Sequence, residues 1–481
     1  MAEYDVVIGL EVHVQVKTNS KMFCSCANRY GEEPNTLVCP VCMGYPGVMP
    51  VPNKEAIDKT VVAGLMLDCE IAKYSKFDRK SYFYPDMPKN YQISQYDLPF
   101  CEHGKVKIGG NKGFSGKDLP PKEIGLTRIH LEEDVAKLTH FGTYSGVDYN
   151  RAGVPLMEIV SEPEIATADE AYAYLTSIKQ IMQYAKIGNC DMEKGQMRCD
   201  VNISLKPKGS SEFGTKIEIK NLNSFRAVHK SIVYEIKRQR RGYDNGETFQ
   251  QETRGWNDDR GETYLMRTKE SAHDYRYFPE PDLLPVTFTD EDVEKVRVTL
   301  SEAPLAKQAR FIADYNLTDY DAEVLTQNRE VADYFDAGAV LVDTPKLLAN
   351  WIISELLREL SEANISIDEC KIVPQQLADM IKLIENKTIS GKIAKKVFSE
   401  MFSSGKDAKV IVEEQGLVQV TDESAIEKFV IEAIENNAPQ VEQYKSGKTE
   451  VLKYFVGQVM KLSRGKANPQ LVIELLKKNL D

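Results

Sequence analysis

Four cysteines near the N-terminus constrain this chain most. Cys24-Ser25-Cys26 and Cys39-Pro40-Val41-Cys42 form a C-x-C and a C-x-x-C pair separated by twelve residues. Two close pairs on a short loop can place four thiolates around one Zn²⁺. Gly31, Pro34 and Asn35 between them supply the turns for folding back. The competing reading is two pairs of buried or redox-active thiols. Four protein ligands leave no open coordination position, so such a zinc holds a loop rather than doing chemistry. A catalytic site must then lie elsewhere.

At 481 residues the chain has room for two to four domains. Its 42% hydrophobic and 28% charged residues are ordinary for a soluble protein. The start, Met-Ala-Glu-Tyr-Asp, lacks a basic and then apolar leader, and no run nears the roughly 20 apolar residues of a membrane span. A cytoplasmic protein with no membrane partner is expected. There the scattered Cys69, Cys101, Cys190, Cys199 and Cys370 are read as reduced, small core residues. A net charge of −12 excludes a uniformly basic surface but not a local nucleic-acid patch.

The patterning predicts an α+β protein. Residues 1–290 read as strands with a few helices. Val6, Ile8, Leu10, Val12, Val14 and Val16 alternate with Glu11, His13 and Gln15. The same alternation runs through 128–134, 197–205 and 216–220, with helices at 54–67, 167–186 and 224–241. Helices then fill 291–405, and a smaller helical module occupies 406–481 after the joint Ser403-Ser404-Gly405-Lys406. From 440 to 481 eight Lys or Arg face four acids, a local excess of four positive charges.

The polar sides of the four strands are crowded with Glu, Asp, His, Arg and Lys. One such strand is a wet sheet surface. Four in one domain suggest an active-site floor. Glu11-Val12-His13 sets a carboxylate and an imidazole on one face, and Arg128-x-His130-x-Glu132 adds a cation, an imidazole and a carboxylate. Glu133 falls on the opposite side unless a bulge re-aims it. Glu158 and Glu162 lie in a further acidic stretch. Carboxylates with one His suit Mg²⁺ or Mn²⁺ in nucleotide-phosphate chemistry, and Arg198, Lys216 and Lys220 suit phosphates. No Walker A loop or GxSxG elbow is present. Residues 77–96 interleave aromatics with Arg, Lys, Asn and Gln, a mixture that can stack on bases or simply form a tyrosine-rich core.

Longer motifs sharpen this reading. They are Gly9-Leu10-Glu11-Val12-His13, Phe77-Asp78-Arg79-Lys80, Tyr82-Phe83-Tyr84-Pro85-Asp86 and Tyr91-Gln92-Ile93-Ser94-Gln95. With them come His130-Leu131-Glu132-Glu133-Asp134, Glu158-Ile159-Val160-Ser161-Glu162-Pro163, Lys220-Asn221-Leu222-Asn223-Ser224 and Asp274 to Asp282. Together they resemble the B subunits of tRNA-dependent amidotransferases acting on aspartyl-tRNA(Asn) and glutamyl-tRNA(Gln), nearly end to end. The resemblance implies a cradle domain, a helical domain and a YqeY-like tail. It also implies a ligase reaction. ATP phosphorylates the side-chain carboxylate of a misacylated tRNA, and ammonia from a partner amidase subunit displaces the phosphate. A small third subunit braces the heterotrimer. On this expectation Mg²⁺ is held by Glu11, His13, Glu158 and either Glu132 or Glu133. Arg198, Lys216 and Lys220 meet phosphate. Zn²⁺ sits on Cys24, Cys26, Cys39 and Cys42. Lys453, Lys461, Arg464 and Lys466 of the tail meet tRNA. The rival class is a zinc-stabilised tRNA-binding adaptor without catalysis, which leaves the carboxylate and His clusters unexplained.

Overall fold

Hydrophobic alternation builds one nine-stranded sheet. In this computed structural model, which describes residues 3–268, 275–417, 423–463 and 467–480, its strands are β1 (Tyr4–Gln15), β2 (Glu70–Ile71), β3 (Cys101–Ile108), β4 (Lys122–Glu133), β5 (Pro155–Ser161), β6 (Met197–Pro207), β7 (Ile217–Lys220), β8 (Glu252–Asn257) and β9 (Glu262–Thr268). They lie in the order β9-β8-β7-β6-β1-β5-β4-β3-β2. Every neighbouring pair is antiparallel except β7 and β8. That parallel pair requires a crossover. The crossover is the helix Phe225–Asp244, capped where Ser224 Oγ accepts from the Ala227 amide at 3.0 Å.

The apolar side chains Ile8, Leu10, Val12 and Val14 of β1 are all at most 1% exposed. With Val201 and Ile203 of β6 and Tyr174, Leu175 and Ile178 of the helix Ala168–Tyr184 they form one core. Burying this face fixes the strand register, because a one-residue slip would turn every valine outward. The same register brings the polar residues together: His13 opposite Glu158 and Arg198, Glu11 opposite Asp200, and Glu158 opposite His130.

The expected floor is covered where β4 runs. Three short strands, Asp78–Ser81, Tyr91–Ser94 and Phe278–Pro279, form a small sheet beside β4. The side-chain amide of Gln92 donates to the Glu133 carbonyl at 2.6 Å, and Gln95 Oε1 accepts from the Leu131 amide at 3.0 Å. His130, Glu132 and Glu133 are therefore buried. Much of the aromatic and basic segment 77–96 is spent on this packing. Phe77 is in the core, and Arg79 is bidentate to Glu280 at 2.7 and 2.8 Å beside the Tyr91 ring.

The chain divides into two compact units, 1–303 and 304–481. Helix Asp290–Arg297 belongs with the first. In the second, Phe311, Phe335, Ile352 and Leu377 are fully buried among helices. Between helices Pro345–Trp351 and Leu357–Ala363 lies a π-helical turn at Ile352–Leu356, where buried Glu355 pairs with Lys395 at 2.6 Å and Arg358 at 2.9 Å. Hydrophobic periodicity does not register one wider turn. Ser403-Ser404-Gly405-Lys406 is a helix cap with Gly405 at φ +75°, and helix Ala408–Glu414 packs back on Pro374–Glu385 and Gly391–Ser404. Residues 423–480 have their own core of Ile426, Val430, Phe455, Val459 and Leu476. No helix among the described residues is long and apolar enough to cross a membrane.

Candidate active site

Three adjacent strands deliver the central group. His13 on β1, Glu158 on β5 and Glu132 on β4 bring one ligand atom each within 4.8 Å of the others. Glu158 Oε2 is 3.3 Å from His13 Nε2 and 3.4 Å from His130 Nε2, and His130 Nε2 is 3.8 Å from Glu132 Oε2. Ser94 donates to Glu132 Oε2 at 3.0 Å. Burial opposes ionisation of Glu158, yet the charges and hydrogen bonds of His130 and His13 hold it well below the usual carboxylate range. Burial likewise opposes ionisation of Glu132, which Lys80 and His130 hold down.

A second acidic group adjoins the first. Glu11, Asp200 and Glu218, from β1, β6 and β7, also bring their oxygens within 4.8 Å. Lys220 pairs with Asp200 at 2.5 Å and Glu218 at 3.0 Å. Glu11 accepts from a neutral donor, Asn202 Nδ2, at 2.8 Å. The carbonyl oxygen of the Asn202 side chain is buried without a partner. Burial and then the charge of Glu158 push the Glu11 carboxyl above its ordinary value. Five converging carboxylates and a free carbonyl oxygen fit hard cations, which take oxygen ligands.

The residues expected to share one metal thus separate. Glu11 belongs to the second group rather than the first. Glu132, as alternation requires, faces His13 and Glu158. Glu133 turns away, accepting from Lys89 and from the Ile93 amide at 2.9 Å. The strand irregularity near it lies at Val160/Ser161, too far along to re-aim it. Arg198 and Lys220 line a cavity of about 1070 Å³ together with His13, Glu132, Asp134 and Lys80. Arg198 is held by Asp134 at 2.9 Å. Lys216 shares the parity of Lys220 but precedes the ladder and is exposed, roughly 13 Å away along an extended chain, and it does not line the cavity.

Alternation placed His130 on the floor beside Glu132 but gave no role to Lys80, Asp200 or Glu218. The acids share strand parity with known candidates, so strand pairing would have found them. Lys80 arrives from the covering sheet, its ammonium 4.9 Å from the Tyr275 ring centroid and attracted by Glu132 and Glu158.

The four cysteines converge as well. Their sulfurs lie within 4.8 Å of one another, and Cys39 and Cys42 are 3.9 Å apart. Tetrahedral Zn–S bonds demand a sulfur spacing of about 3.8 Å. Cys42 Sγ accepts from the Cys39 amide at 3.2 Å, the kind of hydrogen bond that orients a metal-binding thiolate. Hydrogen bonding from Cys24 holds the Cys42 thiol down to about 4. The arrangement fits zinc.

Comparison with known proteins decides the family. A family model described as the GatB/GatE catalytic domain matches residues 6–294, and one described as the GatB domain matches 333–480. The chain is 54% identical over its full length to 99% of the B subunit of an aspartyl/glutamyl-tRNA(Asn/Gln) amidotransferase from Carboxydothermus hydrogenoformans. It is 53% identical over 99% of each chain to the B subunit of that name from Thermoanaerobacter pseudethanolicus. A third, from Persephonella marina, is 52% identical over 99% of this chain and all of its own. The chain belongs to the amidotransferase B-subunit family. Membership makes it one component of a multi-subunit, tRNA-dependent amidotransferase. Both strand groups and the cavity lie within the matched catalytic domain of this B-subunit family. In the tail, Lys453 and Lys461 are exposed on helix Val451–Leu462. Arg464 and Lys466, and Asp274 of the last motif, lie outside the described residues.

Proposed function

We propose that this protein phosphorylates the side-chain carboxylate of misacylated Asp-tRNA(Asn) or Glu-tRNA(Gln) with ATP and then admits ammonia to form the amide. The observation that carries the reading is the pair of acidic groups, side by side on one sheet face and bordered by Lys80, Arg198 and Lys220. A carboxylate resists ammonia because oxide is a poor leaving group. Transfer of the γ-phosphoryl group makes an acyl phosphate and ADP. Ammonia then forms the C–N bond, phosphate leaves with the C–O electrons, and a proton is lost. Both steps gather negative charge, which preorganised cations stabilise.

Glu132, Glu158 and His13 would hold one Mg²⁺, and Glu11, Asp200, Glu218 and the Asn202 carbonyl a second. Bound there, such ions neutralise phosphate oxygens. Arg198 is fixed by Asp134, so it meets phosphate without reorganising. Lys220 stands where it can exchange its carboxylates for a phosphate. His130 supplies a positive charge that keeps Glu158 ionised. Zn²⁺ on Cys24, Cys26, Cys39 and Cys42 has a structural role. A partner amidase supplies the ammonia, and a small third chain completes the heterotrimer.

The test is Glu11→Ala in the assembled enzyme. Amidation of either charged tRNA should fall at least about 100-fold while the partner's glutaminase activity persists. Wild-type amidation by this variant would exclude Glu11 from the reaction. The tail is proposed to bind tRNA through its exposed lysines. Truncation after Leu417, which spares helix Ala408–Glu414, should weaken tRNA binding and flatten its salt dependence. Unchanged affinity and slope would reject the tail as a tRNA module.

A further inference from the structure

Lys21 is 1% exposed, among the largest fully buried side chains, and the reaction proposed above does not use it. Its Nζ donates to Cys42 Sγ at 3.7 Å and to the Tyr149 carbonyl at 3.2 Å. The backbone sets this reach. The Lys21 amide donates to the Cys26 carbonyl at 2.9 Å, and the Met22 amide to the Gly153 carbonyl at 2.7 Å. Gly153 adopts φ +84°, and a Cβ there would stand 3.5 Å from both Lys21 Cδ and Cys42 Cβ. The lysine stem is therefore clamped between the cysteine loop and the turn 149–153.

A buried ammonium is strongly unfavourable without an anion beside it. Neighbouring Glu133 is paired with Lys89. The sulfur of Cys42 is the anion on offer. A zinc ion with four thiolates carries a net charge of about −2, which one ammonium halves. From the far side of Lys21 the connection continues to the cavity. Arg151, in the same turn as Tyr149, donates to the Val135 and Ala136 carbonyls at 2.8 Å each and lies 3.8 Å from Asp134, which holds Arg198.

We propose that Lys21 is the charge partner of a zinc–thiolate centre and the positioning residue that ties this centre to the turn carrying Arg151. The inference rests on the four-cysteine metal reading. The Nζ–H···Sγ contact draws electron density from Cys42, so the thiolate reacts less with electrophiles, while the ammonium offsets part of the centre's negative charge, so the charged complex is held more tightly in the buried site. Partners of metal ligands change metal affinity by about 10- to 100-fold when removed.

The experiment uses the full chain loaded with Co²⁺ in place of zinc, alongside a chelator competition with Zn²⁺. In Lys21→Met the thiolate-to-cobalt charge-transfer band should move to lower energy, because the sulfur loses its charged donor. Zinc affinity should fall about 10- to 100-fold. Lys21→Arg, which keeps the charge, should recover most of both. A merely space-filling Lys21 would lower thermal stability and leave the band in place, which overturns the proposal. If Lys21→Met does not fold, Lys21→Gln reads the same band with a neutral donor, and a wild-type band there also overturns it. A wild-type chain with no thiolate–cobalt band would overturn this inference together with the zinc reading, and would leave the phosphorylation reading standing.

Discussion

Glu158→Gln should reduce ATP-dependent amidation by about 10²–10³-fold, with the partner's glutaminase activity intact. The substitution keeps the shape of the side chain and removes its charge. One oxygen of Glu158 receives both imidazoles, at 3.3 and 3.4 Å. It is also one of the three converging groups that could hold a metal ion in the central site. Glutamine offers an uncharged oxygen to a cation and an amide donor in a place arranged for acceptance. The variant has a second, separable consequence. His130 is 4% exposed and loses its strongest counter-charge, and stranding one member of a buried pair costs about 3–5 kcal/mol. Measuring thermal unfolding beside single-turnover phosphorylation separates the two. Loss of phosphorylation in a folded variant supports the assignment. Phosphorylation close to the wild-type rate would sink Glu158 as a metal ligand.

How much of this site was legible follows from which distances the sequence encodes. Within one strand, side chains two apart share a face, so His13 goes with Glu11, and Glu132 rather than Glu133 goes with His130. The structure keeps that parity throughout. Between strands, periodicity carries no register. Pairing of Glu11 with Asp200, far along the chain, depends on burying the apolar faces of β1 and β6 together. Glu11 consequently sits with Asp200 and Glu218, one step along the sheet from where it was expected. Parity alone also overstated Lys216, since the ladder begins after it. The cover over β4 was hidden for another reason. Its segment resembles an exposed nucleic-acid surface, but Arg79 is neutralised by Glu280, a residue remote in sequence. The meeting of the four cysteines was legible because their spacing is local.

The second large effect is on stability. Burial alone would lower the pKa of His130, but the charge of Glu158 and hydrogen bonds to Glu132 and Glu158 outweigh it and push it up to about 9. Arg128 Nε donates to the His130 Nδ1 at 3.4 Å, a contact that favours the neutral ring and opposes this rise, and Lys80 acts on the same two carboxylates. The unfolded imidazole titrates near 6.5. A group whose pKa is raised by folding stabilises fully below its unfolded value and ceases to do so above its folded one. His130 should therefore contribute its full stabilisation at about pH 5–6.5, above the acid range in which protonation of Glu132 and Glu158 destabilises the fold, and the protein in magnesium-free buffer should lose about 3 kcal/mol as pH rises through about 9. His13 is raised too and faces the same Glu158, so it adds a loss of the same sign. Denaturant unfolding of the full chain, followed on the first unit at about pH 6 and about pH 9.5 in wild type and His130→Gln, measures the difference. The variant should begin less stable and show a much flatter profile across that window. A wild-type slope that survives in His130→Gln would mean that the buried imidazole carries no charge at neutral pH. Glu158 would then owe its ionisation to Lys80 and His13 alone.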